Sequence, residues 1–341
     1  MSKIVTFGEI MLRLQPNGFY RFFQNDQLQA TFGGAEANVA VSLANFGENV
    51  SFVSKVPSGP IGEGAISSLR YFGVNTDYIA RGGARLGLYY LEKGANQRGS
   101  LCIYDRAGSS FALAEKDDFD WNAIFADADW FHFTGITPAL GNNVFEICKI
   151  ACKEAKKRNI RISCDLNYRS KLWTKETARA AMTELCKYVD VCIANEEDAK
   201  NVFGIESENT DVFSGLINKL GYEKVAKELK ELFGFTHVAF TLRSSHSATV
   251  NDWQGMLYDG KDFYFSKKYH IDSIVDRVGG GDSFGAGLIF GLRKGFDSQK
   301  NIDFAVASSA LKHSIEGDFN RIGVNEVLKL IAGDGSGRVQ R

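Results

Sequence analysis

From Asp276 to Asp282 the chain reads Asp-Arg-Val-Gly-Gly-Gly-Asp, and the apolar stretch Ser283-Phe284-Gly285-Ala286-Gly287-Leu288-Ile289-Phe290-Gly291-Leu292 follows at once. Consecutive glycines let a backbone turn with its N–H groups pointing inward, and the first turn of a helix adds unpaired donors and the positive end of the helix dipole. Such a loop suits a phosphate. Asp282 stands where a carboxylate has two uses: it can cap the helix, or it can take a proton from an alcohol attacking a phosphate held by the same amides. The helix favours the second use. It is apolar all round and carries Gly285, Gly287 and Gly291, each costing roughly 0.5–1 kcal/mol inside a helix. Something bulky, a neighbouring backbone or a nucleotide, is expected against it.

Other stretches combine turn geometry with groups able to hold a ligand. Gly33-Gly34-Ala35-Glu36-Ala37-Asn38 is a tight glycine turn feeding a helix, and on its own it reads equally well as a plain strand-to-helix connection. Arg106 lies in Tyr104-Asp105-Arg106-Ala107-Gly108-Ser109 and Arg169 in Asp165-Leu166-Asn167-Tyr168-Arg169. A surface salt bridge is the default for an arginine, but both follow strands, and strand ends are where open α/β sheets bind ligands. Asn195-Glu196-Glu197-Asp198 reads as an acidic first helical turn. Thr241-Leu242-Arg243 ends a strand, and Asp318 follows a late helix in a turn.

Several chemistries are excluded. With 40 Lys+Arg against 41 Asp+Glu there is no field to draw in nucleic acid or an anionic membrane, so an anionic ligand must be met by local geometry. The six cysteines (Cys102, Cys148, Cys152, Cys164, Cys186, Cys192) show no zinc spacing and read as buried thiols. The five histidines form no metal-binding motif, and neither G-x-x-x-x-G-K-[ST] nor a strand-borne G-x-G-x-x-G occurs. The N-terminal residues lack a signal-peptide apolar core and no run is long enough to span a bilayer, so a cytoplasmic protein is expected.

These groups need a scaffold. Apolar runs at Ile4–Gly8, Val50–Val56, Trp130–Phe133, Arg161–Asp165, Val191–Ala194 and His237–Leu242 alternate with helical patterns at Glu36–Phe46, Asn142–Arg158, Thr177–Tyr188 and Tyr222–Phe233. Strand-helix alternation predicts a mostly parallel sheet covered on both faces. Phe19–Phe32 and Leu86–Tyr104 break the rhythm with alternating aromatics, which predicts an antiparallel β excursion, a small lid. Helices over 299–315 and 324–331 close a single domain spanning 1–332, with lid segments near 12–32 and 86–112, and 333–341 is expected to be a frayed tail.

Taken together, the segments resemble the PfkB (ribokinase-like) sugar kinases. Their C-terminal signature is D-T-x-G-A-G-D, against which this chain has Arg277 for Thr and Gly280 for Ala, and their N-terminal one is G-G-x-x-x-N, met by Gly33, Gly34 and Asn38. The resemblance implies a three-layer α/β/α sandwich with a β lid, the sugar under the lid and ATP along the C-terminal part of the sheet. It implies Asp282 as general base and the amides of Gly279, Gly280 and Gly281 as the anion hole. For the nucleotide side it implies Asn167, Asn195, Thr241 and Arg243, with Gly279 and Gly281, and Asp198 acting on Mg²⁺ through water where the family has Glu. The resemblance implies that Gly33, Gly34 and Asn38 hold the sugar, with Asp282 beside it and Arg169 in a segment that fructokinase-like members share. Y-D-R-A-G-S is similar to the 2-keto-3-deoxygluconate kinase branch, which implies Tyr89, Tyr104, Arg106 and Asp318 as further sugar contacts, ATP as donor and the terminal primary hydroxyl as acceptor. A fructokinase or ribokinase on a neutral sugar and a non-catalytic sugar-binding relative remain alternatives. Lid-to-lid homodimers and a monovalent cation are further implications of the resemblance.

Overall fold

Ten strands form the body of the computed structural model, which describes residues 2–195, 197–205 and 219–335. Numbered in chain order, they are β1 (Lys3–Phe7), β4 (Val50–Val56), β5 (Ile79–Arg81), β8 (Ala128–Thr134), β9 (Arg161–Asp165), β10 (Val191–Ala194), β11 (His237–Ser245), β12 (Asn251–Tyr258), β13 (Phe263–Phe265) and β14 (Tyr269–Ile271). Their order is β13-β12-β11-β10-β9-β8-β1-β4-β5, with β14 also on β12. All pairs from β5 to β11 are parallel; β12 turns back antiparallel on β11. The central strands are buried on both faces, as parallel strands between helices must be.

Helices cover both faces. They are α1 (Ala35–Asn45), α2 (Pro60–Arg70), α3 (Trp121–Ile124), α4 (Asn142–Lys157), α5 (Lys175–Cys186), α6 (Asp198–Phe203), α7 (Lys219–Phe233), α8 (Gly280–Arg293), α9 (Ser298–Lys312) and α10 (Val324–Ile331). One apolar core lies under α3–α7 and a second under α1, α2 and α8–α10, which gives the expected three layers. Among the described residues no helix is long and apolar enough to cross a membrane. All six thiols are free and five are buried. The glycines of α8 find their bulky neighbour in α9: a Cβ on Gly287 would stand 2.8 Å from Ala305 Cα, and one on Gly291 would collide with Asn301.

The lid is a four-stranded sheet, β3 (Gln29–Gly33), β2 (Met11–Gln15), β6 (Gly87–Glu92) and β7 (Leu101–Asp105), in that order. Its strands depart from expectation in two ways. Of Phe19–Phe32 only the last residues join a strand, while β2 lies upstream of that stretch. The sheet is also mixed, because β2 and β6 pair in parallel from Met11 with Gly87 to Leu14 with Tyr90. The reason is topological: β2 follows β1 and β6 follows β5, and both body strands run the same way. Of the expected tail, 333–335 are described and 336–341 lie outside the described residues, as does Glu196 of the acidic run.

Candidate active site

The glycine loop folds as its residues dictate. Gly279 caps α8 with a left-handed φ of 82°, and a Cβ there would collide with the Asp318 carbonyl. At Gly280 a Cβ would meet the His313 ring at 2.9 Å, whereas at Gly281 it would meet open space. The Gly280 N–H is taken by Arg277 O at 3.3 Å, which removes it from the expected anion hole, and the next N–H to return to the chain is that of Ser283, to Gly279 O at 2.9 Å. The Gly281 and Asp282 amides therefore lack helical acceptors. Both residues line a cleft of about 1590 Å³ at the carboxyl ends of the parallel strands.

Asp282 lies inside the first turn, not at the cap position, and its carboxylate accepts from Asn38 Nδ2 at 2.7 Å. Asn38 is itself aimed by the glycine turn, since its Oδ1 accepts from the Gly34 N–H at 3.3 Å. Burial pushes the Asp282 carboxyl up to about 7; the Asn38 amide pulls the other way, and the charges of Asp318 and Glu36 add to the rise. A carboxylate titrating near neutrality matches the requirement for a general base.

The lid side of the cleft is built by close approach. Side chains at Gly33 and Gly34 would collide with the Asp318 carboxylate and the Glu9 carbonyl. Asp318 accepts from Tyr89 Oη at 2.5 Å and Arg13 Nη1 at 2.7 Å, and the Tyr89 ring leans on Tyr104 at 5.8 Å. Arg106, 8% exposed, is engaged by buried Glu9: its Nε donates to Oε2 at 2.8 Å and Nη2 lies 2.5 Å from the same oxygen. Among the described residues Nη1 has no such partner. Arg169 lines the cleft, and among the described residues its guanidinium is bonded through Nη1 alone, to Tyr168 O at 3.0 Å.

Across the cleft, Asp198 holds two loops together: Oδ1 accepts from Tyr168 N and Oδ2 from Asn195 N, each at 2.9 Å. Asn195 Oδ1 in turn accepts from the N–H groups of Glu197 and Asp198 at 2.8 and 3.1 Å, so part of the acidic run is a helix start. Asn167 takes a left-handed φ of 39° beside Asp165. Burial, and then the charges of Asp198 and Asp282, hold the Asp165 carboxyl well above its ordinary range. Carboxylates are hard-oxygen donors of the kind Mg²⁺ takes, although among the described residues the group of three whose ligand atoms lie within 4.8 Å of one another is His246, Asp252 and His270. Asn167, Asn195, Thr241 and Arg243 line the same cleft, which touches every predicted site residue except Gly33 and Gly280.

Sequence reasoning missed Glu9, Arg13, Asp165 and Asp276. Asp165 sits in the quoted Asp165–Arg169 segment at a strand end and Asp276 opens the quoted glycine run, signals that were available. The others show their role only through partners far along the chain.

An amide loop beside a neutral-range carboxylate, at the strand ends of a parallel sheet with a β lid, defines a ribokinase-like phosphotransferase. Residues 1–319 match the pfkB family carbohydrate kinase, and the chain belongs to that family. The crystal structure of 2-dehydro-3-deoxygluconokinase from Thermotoga maritima is 51% identical over 98% of this chain and 100% of that one, with a TM-score of 0.94. The 2-dehydro-3-deoxygalactonokinase of Haloferax volcanii is 31% identical over 336 residues, 98% of each chain. A putative ribokinase II of E. coli, in complex with ATP and Mg²⁺, shares the fold at a TM-score of 0.78 and 19% identity, covering 97% of this chain and 99% of that one.

Proposed function

We propose that this carbohydrate kinase transfers the γ-phosphoryl group of ATP to the terminal primary hydroxyl of 2-keto-3-deoxygluconate, in the cytoplasm. The observation that carries the reading is the placement of Asp282, between the unpaired amides of Gly281 and Asp282 and the lid-side contacts. Asp282 accepts the hydroxyl proton, and Asn38 fixes the carboxylate that does so. The loop amides hold charge developing on the transferring group. Asp165 and Asp198 are the residues to hold Mg²⁺, Asp198 through water, and the ion would neutralise charge on the ATP phosphates. Thr241, Arg243, Asn167 and Asn195 border the nucleotide, and the lid excludes water.

Two arginines support an acid substrate. A carboxylate taken from water needs charge-assisted hydrogen bonds, and Arg169 and the Nη1 edge of Arg106 offer them in the cleft, while Tyr89, Tyr104, Gly33, Gly34 and Asp318 border the sugar. The relatives of Thermotoga maritima and Haloferax volcanii carry names for substrates of this kind. A coupled ADP assay with 2-keto-3-deoxygluconate, 2-keto-3-deoxygalactonate, fructose and ribose tests the reading. The first is expected to show the highest kcat/KM; a preference for fructose or ribose would overturn it. Repeating the assay with K⁺ replaced by tetramethylammonium reads any monovalent-cation requirement.

The lid also offers an association surface. Leu101 and Ile103 of edge strand β7 are exposed, as are Phe19, Tyr20 and Phe23, whereas Tyr89 is buried within the chain. Homodimers through this face are expected, and sedimentation showing only monomer at micromolar concentration would count against them.

A further inference from the structure

Arg13 belongs to lid strand β2, yet its side chain is fully buried. All three guanidinium nitrogens are engaged. Nη1 donates to Asp318 Oδ1 at 2.7 Å, Nε donates to Gln15 Oε1 at 2.8 Å, and Nη2 makes short contacts with Gln15 and Asp276. Both carboxylates belong to the segments that frame the amide loop. Asp276 opens the glycine run, and its own oxygens accept from the N–H groups of Val278 at 3.0 Å and Gly317 at 3.1 Å. Asp318 packs its carbonyl against Gly279 and its carboxylate against Gly33, and a second lid residue, Tyr89, donates to the same Oδ1. One guanidinium thus joins the lid to both sides of the anion hole.

Stability alone is a poor reason for this arrangement. A buried ion pair returns little more than the desolvation it incurs, and packed apolar side chains of similar volume often do as well. Orientation is what a planar, paired donor supplies. We propose that Arg13 is a positioning residue for phosphoryl transfer: it transmits the position of the lid to the amides at Gly279–Asp282, so that these reach transfer geometry with the lid seated over the sugar. The inference rests on the kinase reading of the cleft. A lid uncoupled from the loop leaves ATP open to attack by water in place of the sugar hydroxyl, in which case the β–γ phosphoanhydride bond breaks to give ADP and inorganic phosphate.

The test measures ADP and phosphorylated sugar in the same reactions, with melting temperature, for wild type and three variants. These are Arg13→Lys, Arg13→Gln, and Arg13→Gln combined with Asp276→Asn. Wild type is expected to form one phosphosugar per ADP. Arg13→Gln should lower kcat about 10²-fold, the scale of a misplacement near 1 Å, and raise the ADP formed per phosphosugar. Arg13→Lys keeps charge without the fork and should fall between. The double variant removes one charge from each side of the pair, so its melting temperature should recover toward wild type while the ADP ratio stays raised. A ratio of one in every variant, or a ratio and kcat that recover in step with melting temperature, would overturn the strut and leave the kinase reading standing. Wild type making no sugar-dependent ADP would overturn the kinase reading, and the strut with it.

Discussion

Two groups of buried carboxylates face each other across the loop at Gly279, and the fold treats them oppositely. On the lid side, Asp276 and Asp318 share the Arg13 guanidinium, and Asp276 also accepts backbone N–H groups. On the cleft side, Asp165, Asp198 and Asp282 have backbone and amide donors, while Arg169 acts on all three only at a distance. Negative charge settled by the chain's own cation makes structure. Buried carboxylates left short of cations are held above their ordinary range, by burial first and by neighbouring charge second, and create demand for an outside cation or a proton. The first group fixes the loop; the second is where chemistry is expected.

The sharpest way to break this contrast is Asp282→Asn, which keeps shape and loses the proton acceptor. It should reduce kcat by roughly 10²–10⁴-fold with KM for ATP and sugar changed little; wild-type kcat would remove Asp282 from the mechanism. Next come the arginines. Arg106→Ala should weaken the acid substrate by on the order of 2–5 kcal/mol and also lower the melting temperature, because buried Glu9 loses its cation and keeps the Ser109 hydroxyl. Arg169→Ala should raise KM without that loss of stability, since no carboxylate loses a bonded partner. Equal effects of Arg106→Ala on fructose and on the acid sugar would point to a neutral substrate.

Smaller changes probe the unsettled group. Asp198→Asn replaces one oxygen that faces an N–H by another donor, and the Mg²⁺ concentration for half-maximal rate should rise about 10–100-fold; an unmoved Mg²⁺ dependence would leave Asp198 a loop tie alone. In wild type kcat/KM should fall about tenfold per pH unit once pH drops below about 7, where Asp282 holds its proton, and a flat profile to pH 5 would contradict this. The smallest effect is on stability. With the folded pKa above the unfolded one, the native state binds more protons between pH 4 and 7, so ionisation of Asp282 lowers stability as pH rises through that window. Asp282→Asn should therefore melt at least about 2 °C higher than wild type at pH 8 and lose that advantage near pH 4.

Much of this was legible from residue order. The runs at Arg161–Asp165, Val191–Ala194 and Val324–Ile331 coincide with β9, β10 and α10, because parallel core strands and amphipathic helices carry their signal locally. The glycine loop was legible because left-handed and close-packed backbone admits little else. Helix α2 went unnamed although Pro60 opens it and Ala65, Ile66 and Leu69 form its buried face. The lid was legible as β structure but not in register or direction, which depend on how β1 and β5 deliver their chains. Arg13 was invisible for another reason: inside Met11–Gln15 it reads as a polar interruption of a strand. Arg106 was found, but its engagement with Glu9, 97 positions away, was not.

The bond from Arg13 to Asp318 spans 305 positions. At a synthesis rate of roughly 5–20 residues per second, the lid strand leaves the ribosome on the order of 15–60 s before the second of the two carboxylates that share its arginine exists. During that interval a cation meant for the interior stays in water, so the nascent N-terminal half cannot seat its lid prematurely. Closure of the site thus becomes a late event in the birth of each molecule, set by the synthesis of Asp318.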